Sequence, residues 1–167
     1  MKCYNSVLKV FLFVCLLLMG TMGVSNASVS VTSDSKYFDV YSGCFVLEGH
    51  VLVKTDDRSI GADKAKVNLV SKEVWADGDV FVEDTKDNIK FKGASVYASD
   101  ASKTAVIKGN ANLERANINI QANNCTFNWQ TKIADFEGLV EVRKDGTTNL
   151  YDKVSYNVAE DKILSTN

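Results

Sequence analysis

The sequence predicts an all-β protein: an open twisted β-jelly roll, or V-shaped sandwich, of antiparallel strands in a meander with a roughly 30-residue repeat. Three observations carry this reading. Four glycines, Gly49, Gly78, Gly109 and Gly138, recur at spacings of 29, 31 and 29 residues. Around each of them apolar residues fall two and four positions to either side, and a strict period of two belongs to strands. No stretch after residue 28 carries a convincing helical period.

The elements follow in order. Residues 28–42 read as a leading strand with Tyr37, Phe38, Val40 and Tyr41. The first glycine strand places Phe45, Leu47, Val51 and Val53 on the face of Gly49. The second is Val74-Trp-Ala-Asp-Gly-Asp-Val-Phe-Val82, with Val74, Ala76, Val80 and Val82 in phase. Asp77-Gly78 would ordinarily mark a hairpin turn. Its fourfold recurrence in one phase argues instead that each strand runs through and bends at the glycine, a common role for glycine inside a strand. The third strand carries Ala105, Ile107, Ala111 and Leu113, and the fourth Ala134, Phe136, Val140 and Val142.

Each glycine strand is followed by a strand with a broken rhythm. Ile60, Ala62, Ala65, Val67 and Leu69 form the first; Ile89, Phe91, Ala94, Val96 and Ala98 the second; Ile120, Ala122, Cys125, Phe127 and Trp129 the third. Tyr151, Val154, Tyr156 and Val158 form a weaker fourth. The step of three would flip a plain strand's apolar set to the other face. A bulge at Asp63-Lys64, Lys92-Gly93, Asn123-Asn124 and Asp152-Lys153 restores the facing and bends the strand. Turn-rich segments at 55–58, 85–88, 99–103, 115–117 and 144–147 close the hairpins. Bent strands stacked in register give two half-sheets with their apolar sides inward.

The first 27 residues read as a secretory signal, and residues 28–167 as one domain. Lys2 and Lys9 flank the start of the apolar run Val10–Gly20, and Ser25-Asn26-Ala27 supplies a cleavage site. The run is short for a spanning helix; an uncleaved inner-membrane anchor facing the periplasm is the alternative. The formal net charge is −2, and removal of the two lysines makes the rest more acidic. That argues against nucleic acid, which selects a basic patch. Cys44 and Cys125 remain after cleavage, and export permits a disulfide. Strand parity points Cys125 inward and Cys44 outward, which favours free thiols.

No catalytic constellation is legible. His50, the only histidine, is out of phase with the apolar set and should face solvent. It has no second histidine with which to build a metal site or a nucleophile–base pair. Asp77 and Asp79 lie on an outer face without a cleft. No cofactor and no metal are expected. Trp75 and Phe81 face away from the core set and could form a small surface platform.

The sequence resembles the OstA-like family of lipopolysaccharide-transport proteins. The resemblance rests on Gly49-His-Val-Leu-Val53, Ile60-Gly-Ala-Asp-Lys-Ala-Lys-Val67 and Val74-Trp-Ala-Asp-Gly-Asp-Val-Phe-Val82, and covers about residues 36–164. It implies a periplasmic carrier or bridge without an active site, which moves lipopolysaccharide from inner to outer membrane. The acyl chains lie between the half-sheets, and inner-membrane LptC-like and outer-membrane LptD-like components cap the two ends. On that reading the lipid-binding face is Leu47, Val51, Val53, Ile60, Val67, Val74, Val80, Val82, Ile89, Phe91, Val96, Ile107, Leu113, Ile120, Phe127, Phe136, Val140 and Val142. Small members of the inward set, Ala94 and Ala111 among them, would leave room for chains. The chain has no proline to blunt its edge strands, so the first edge (36–41) and the last (149–156 with 163–164) should pair head to tail. The alternative is a structural or adhesive β-repeat domain of the cell envelope without lipid cargo.

Overall fold

In a computed structural model the described residues are 30–54, 58–85 and 88–167. The signal read over residues 1–27 lies outside them, as do the turn residues 55–57 and 86–87. Eleven antiparallel strands form one open sheet: β1 (Ser30–Thr32), β2 (Ser35–Asp39), β3 (Cys44–Lys54), β4 (Arg58–Asn68), β5 (Glu73–Asp84), β6 (Ile89–Ser99), β7 (Thr104–Arg115), β8 (Ile118–Asn128), β9 (Ile133–Lys144), β10 (Thr147–Asn157) and β11 (Lys162–Thr166). The order is a pure meander; β1 and β2 both pair with β3 and together make the first edge. The last edge is the first half of β10, followed by β11 against its second half.

The four glycine strands run through their glycines, as the repeat predicts. The bulge lies elsewhere than expected. It falls in the glycine strands, where Gly49-His50, Gly78-Asp79, Gly109-Asn110 and Gly138-Leu139 all have positive φ. These pairs sit opposite Asp63, Gly93-Ala94 and Asn123, where the register shifts. The partner strands pass the corner with ordinary backbone and one residue fewer, hence their step of three. A column of left-handed pairs thus folds the whole sheet along one line. His, Asp and Asn tolerate that conformation; Leu139, exposed at φ 51, does not suit it.

The fold line divides each long strand into two. The first arm runs from the line to the strand ends at Lys54, Arg58, Asp84 and Ile89 and to the turns at 115–118 and 144–147, and the second arm to the turns at 39–44, 68–73, 99–104, 128–133 and 157–162. Second-arm turns share a motif: the Asn68 Oδ1 accepts from the Val70 and Ser71 N–H groups, and Asn128 and Asn157 repeat this two and three residues on. The turn then closes on a left-handed Lys72, Lys132 or Asp161.

The arms pack with an offset. Phe91, on the first arm of β6, meets Phe127, on the second arm of β8, at 5.4 Å between ring centroids. Arg115, at the first-arm end of β7, reaches Val158 beyond the second arm of β10. Twist therefore leaves an uncovered arm at each end. At the start, β2 is exposed with Phe38 stacked on Phe45 at 4.9 Å; at the finish, Thr147–Leu150 are exposed while Val154 and Tyr156 are buried.

Three local readings are corrected. Val40 and Tyr41 belong to the β2–β3 turn, not to the leading strand. In β6 the inward residue before the corner is Gly93, while Ala94 is an exposed corner residue; the expected alignment of that unit was out of phase. Cys44, expected on the outside, is buried where β3 leaves its turn, with its thiol toward the Ser42 carbonyl. Both Cys44 and Cys125 are free.

Candidate functional site

The interior between the arms is built by the period-two residues, and it is not one core but two. Leu47, Val51, Val53, Val67 and Val80 belong to a smaller cluster over β3–β5. Ile89, Phe91, Ile107, Leu113, Ile120, Phe127, Phe136, Val140 and Val142 belong to a larger one over β6–β10. All of these are buried. The remaining four residues of the inward set, Ile60, Val74, Val82 and Val96, are only partly buried. Val74 and Val96 pack against both clusters, Ile60 against the smaller and Val82 against the larger. The structure therefore sorts the eighteen inward positions into fourteen that are buried and four that are partly buried, of which Val74 and Val96 bridge the seam between the clusters.

The seam opens into a small apolar slot. Val80, Val82, Phe91, Val96, Ile107 and Phe127 line it, and Lys92 stands at its rim. Its volume is about 30 Å³, room for a water or two and not for a chain. An acyl chain enters this slot only if the arms part. Ala111, expected to leave room, is 0 % exposed inside the larger cluster, and Ala94 is outside altogether.

Hydrogen bonds cross the mouth between the arms over the larger cluster. The Arg115 Nη1–H donates to the Val158 carbonyl at 2.7 Å and lies 3.4 Å from the Tyr156 hydroxyl. The Asn117 amide donates to Asp161 Oδ2 at 3.0 Å, and the Tyr156 hydroxyl donates to the other Asp161 oxygen. The Tyr156 hydrogen bond, joined by those of Asn117 and the charge of Arg115, holds the Asp161 carboxyl below the usual range. Burial, then the same bond, pushes the Tyr156 hydroxyl up to about 12. Arg115 appeared in the sequence only as a turn residue. The spacing Asn-x-x-x-Lys or Asn-x-x-x-Asp at 68–72, 128–132 and 157–161 is the signal that places these second-arm turns.

The outer face carries no assembled chemistry. His50 is exposed, as expected, with its Nδ1 2.8 Å from Asp34 Oδ2. Cross-strand pairs such as Lys64–Glu48, Lys92–Glu114 and Lys153–Glu137 decorate the strands. Trp75 and Phe81 stand on different arms; Trp75 pairs instead with Tyr97 at 5.6 Å, and Phe81 lies over Gly61. Among the described residues no group of three or more His, Cys, Asp or Glu side chains could hold a metal ion, and no helix is long and apolar enough to cross a membrane.

Exposed large apolar side chains gather at the two edges. Tyr37, Phe38, Val40 and Tyr41 flank the first, and Leu139, Leu150 and Leu164 the last; Val70 stands apart on the β4–β5 turn. Single exposed apolar residues need no explanation, but grouped ones mark contact surfaces.

Comparison with known proteins agrees with this architecture. LptH of Pseudomonas aeruginosa, the LptA-homologous periplasmic component of its lipopolysaccharide transport device, has a similar solved structure: TM-score 0.57 and 15% identity, covering 66% of this chain and 82% of that one. At that identity the likeness speaks for the fold. No curated protein matches the chain. Residues 30–162 match the family described as LptA/(LptD N-terminal domain) LPS transport protein. The protein is therefore a member of the LptA/LptD N-terminal-domain family of lipopolysaccharide transport proteins.

Proposed function

We propose that the protein is an exported, periplasmic carrier that holds the acyl chains of lipopolysaccharide between its two arms and passes them along the direction of the meander. The observation that carries this is the seam: Val74 and Val96 pack against both clusters and, with Val82 at the slot, stay only partly buried. A chain of about 12 carbons gains on the order of 10 kcal/mol from leaving water, at ~0.8 per CH2. Aliphatic and aromatic walls supply this without directional bonds, so the chain can slide. The fourteen buried residues of the inward set become contacts only as the arms separate.

The edges supply the partners. Among the described residues each end of the meander is a strand edge with no further strand beyond it, beside exposed apolar side chains. Strand addition there joins copies head to tail, or joins the protein to an inner-membrane LptC-like component at one end and an outer-membrane LptD-like component at the other. A photo-activatable residue at Val82 or Val96 tests the cargo in cells. Lipopolysaccharide adducts are expected at those positions and not at Leu113. Their absence throughout would leave the interior as plain core, the property of a structural β-repeat domain.

A further inference from the structure

We propose that Arg115 and Asn117, on the β7–β8 turn, and Tyr156, Val158 and Asp161, at the β10–β11 turn, form a polar latch that keeps the two arms shut over the C-terminal half of the interior. The inference concerns how the folded sheet opens, and it does not require the cargo proposed above.

Position makes the contact informative. In the sheet, β7 and β10 are separated by β8 and β9, and Arg115 and Val158, each at the C-terminal end of its strand, lie on opposite arms. A 2.7 Å hydrogen bond between them exists only because the sheet is folded over. The left-handed corners set the bend, but the backbone hydrogen bonds of the meander connect neighbouring strands and do not join one arm to the other. What joins the arms is apolar contact between them and, at the mouth, these polar bonds.

The latch groups are also chemically committed to one another. Asp161 takes Tyr156 on one oxygen and Asn117 on the other. Arg115, always charged, is the one cation in the group, and charge-assisted bonds are about twice as strong as neutral ones. Tyr156 itself belongs to the larger cluster, together with Phe136, Leu113 and Ile120, which are among the largest fully buried side chains.

The native thiol of Cys125 reports the opening. It faces inward on β8, is 1 % exposed, and burial raises its pKa, so it reacts only when the arms part. In the full-length chain, maleimide labelling is read at the Cys125 peptide by mass spectrometry. Arg115→Ala should speed it about tenfold, the lower range for one hydrogen bond from a charged donor. Arg115→Lys, which keeps one donor and loses the fork, should fall between. Lys153→Ala, which removes an ion pair between neighbouring strands on the outer face, should leave labelling unchanged. If Arg115→Ala fails to fold, Asn117→Ala, which removes only the bond to Asp161, should still speed labelling severalfold. Labelling at the wild-type rate in a folded Arg115→Ala or Asn117→Ala protein overturns the latch. So does equal acceleration by Lys153→Ala, which would mark general loosening.

Discussion

Gly78 lies so close to Asp63 that a β-carbon on the glycine would sit 2.1 Å from the carboxylate oxygen and 2.6 Å from the Asp63 Cβ. Gly49 meets Asp34, Gly109 meets Ala94 and Gly138 meets Asn123 in the same way. The repeated glycine is thus demanded twice, by a left-handed backbone and by the side chain of the preceding strand. Gly78→Ala should cost about 1–2 kcal/mol for the backbone alone, and more for displacing Asp63. Gly146→Ala is the control, since Gly146 has φ 79 but nothing within 4 Å. Urea unfolding should rank Gly78→Ala clearly below Gly146→Ala, and Asp63→Gly in the Gly78→Ala background should recover part of the loss. Equal costs would mean that the corner is not close-packed.

How much of this was legible follows from what a period can encode. Sixteen apolar positions around four glycines specify strands, their inner face and a fold line, because a register slip would turn the whole set outward. The bulge is a different matter. A step of three at Ala62–Ala65 says that two strands differ by a residue, but not which of them carries the extra one. Backbone φ decides, and it points to Gly78-Asp79. Gly93 and Ala94 were misassigned because glycine has no polarity to show its face. The seam was not legible at all: Val96 and Leu113 are alike in pattern, and only the offset between arms leaves one partly open and buries the other. Arg115 was equally silent, since its partners are some forty residues away.

The first edge is tied to β3 by a titratable pair. The Asp34 N–H donates to the Gly49 carbonyl at 2.9 Å, and the Asp34 carboxylate accepts from the neighbouring His50. That bond, then the charge of Asp34, raises the His50 pKa above the ordinary histidine value. A raised folded pKa means that the pair contributes fully below the unfolded pKa, and that the contribution is lost as pH rises through the folded one. NMR titration of the His50 ring should give a midpoint above 6.5, and Asp34→Asn should return it to about 6.5. Both groups are too exposed for the change to move the global Tm measurably. A midpoint unaffected by Asp34→Asn would show that the pair does not hold the edge in solution.

Association should depend on the side chains beside the two edges. Phe38 is 48 % exposed on the inner side of the first edge, and Leu150, paired in register with the outward Glu141, is 76 % exposed on the half of β10 that, among the described residues, has only β9 beside it. Phe38→Lys and Leu150→Lys each place charge where an added strand would dock, a device natural edge strands use against pairing. Neither residue is core, so each variant should stay within about 0.5 kcal/mol of wild type in stability. Sedimentation velocity should show concentration-dependent growth of the wild type and its loss in both variants. A wild type that stays monomeric at high concentration would limit the edges to other partners.

Val96 and Leu113 separate the seam from the core. Leu113 is 0 % exposed in the larger cluster, so Leu113→Ala should cost about 2–5 kcal/mol through the cavity it leaves. Val96 is partly open and packs against both clusters. Val96→Phe can direct its extra carbons into the slot or toward solvent, so its cost should stay below the ~1–3 kcal/mol of overpacking a closed core. The same substitution fills the space through which an apolar chain would enter. Purified Val96→Phe should therefore unfold near the wild-type midpoint yet bind a lipid A analogue several-fold more weakly, whereas a conservative exchange at Leu113, Leu113→Met, should change binding little. Undiminished binding by Val96→Phe would move the cargo away from the seam. Equal loss in both variants would mean that the chain occupies the larger cluster, and that the arms part along their whole length when it enters.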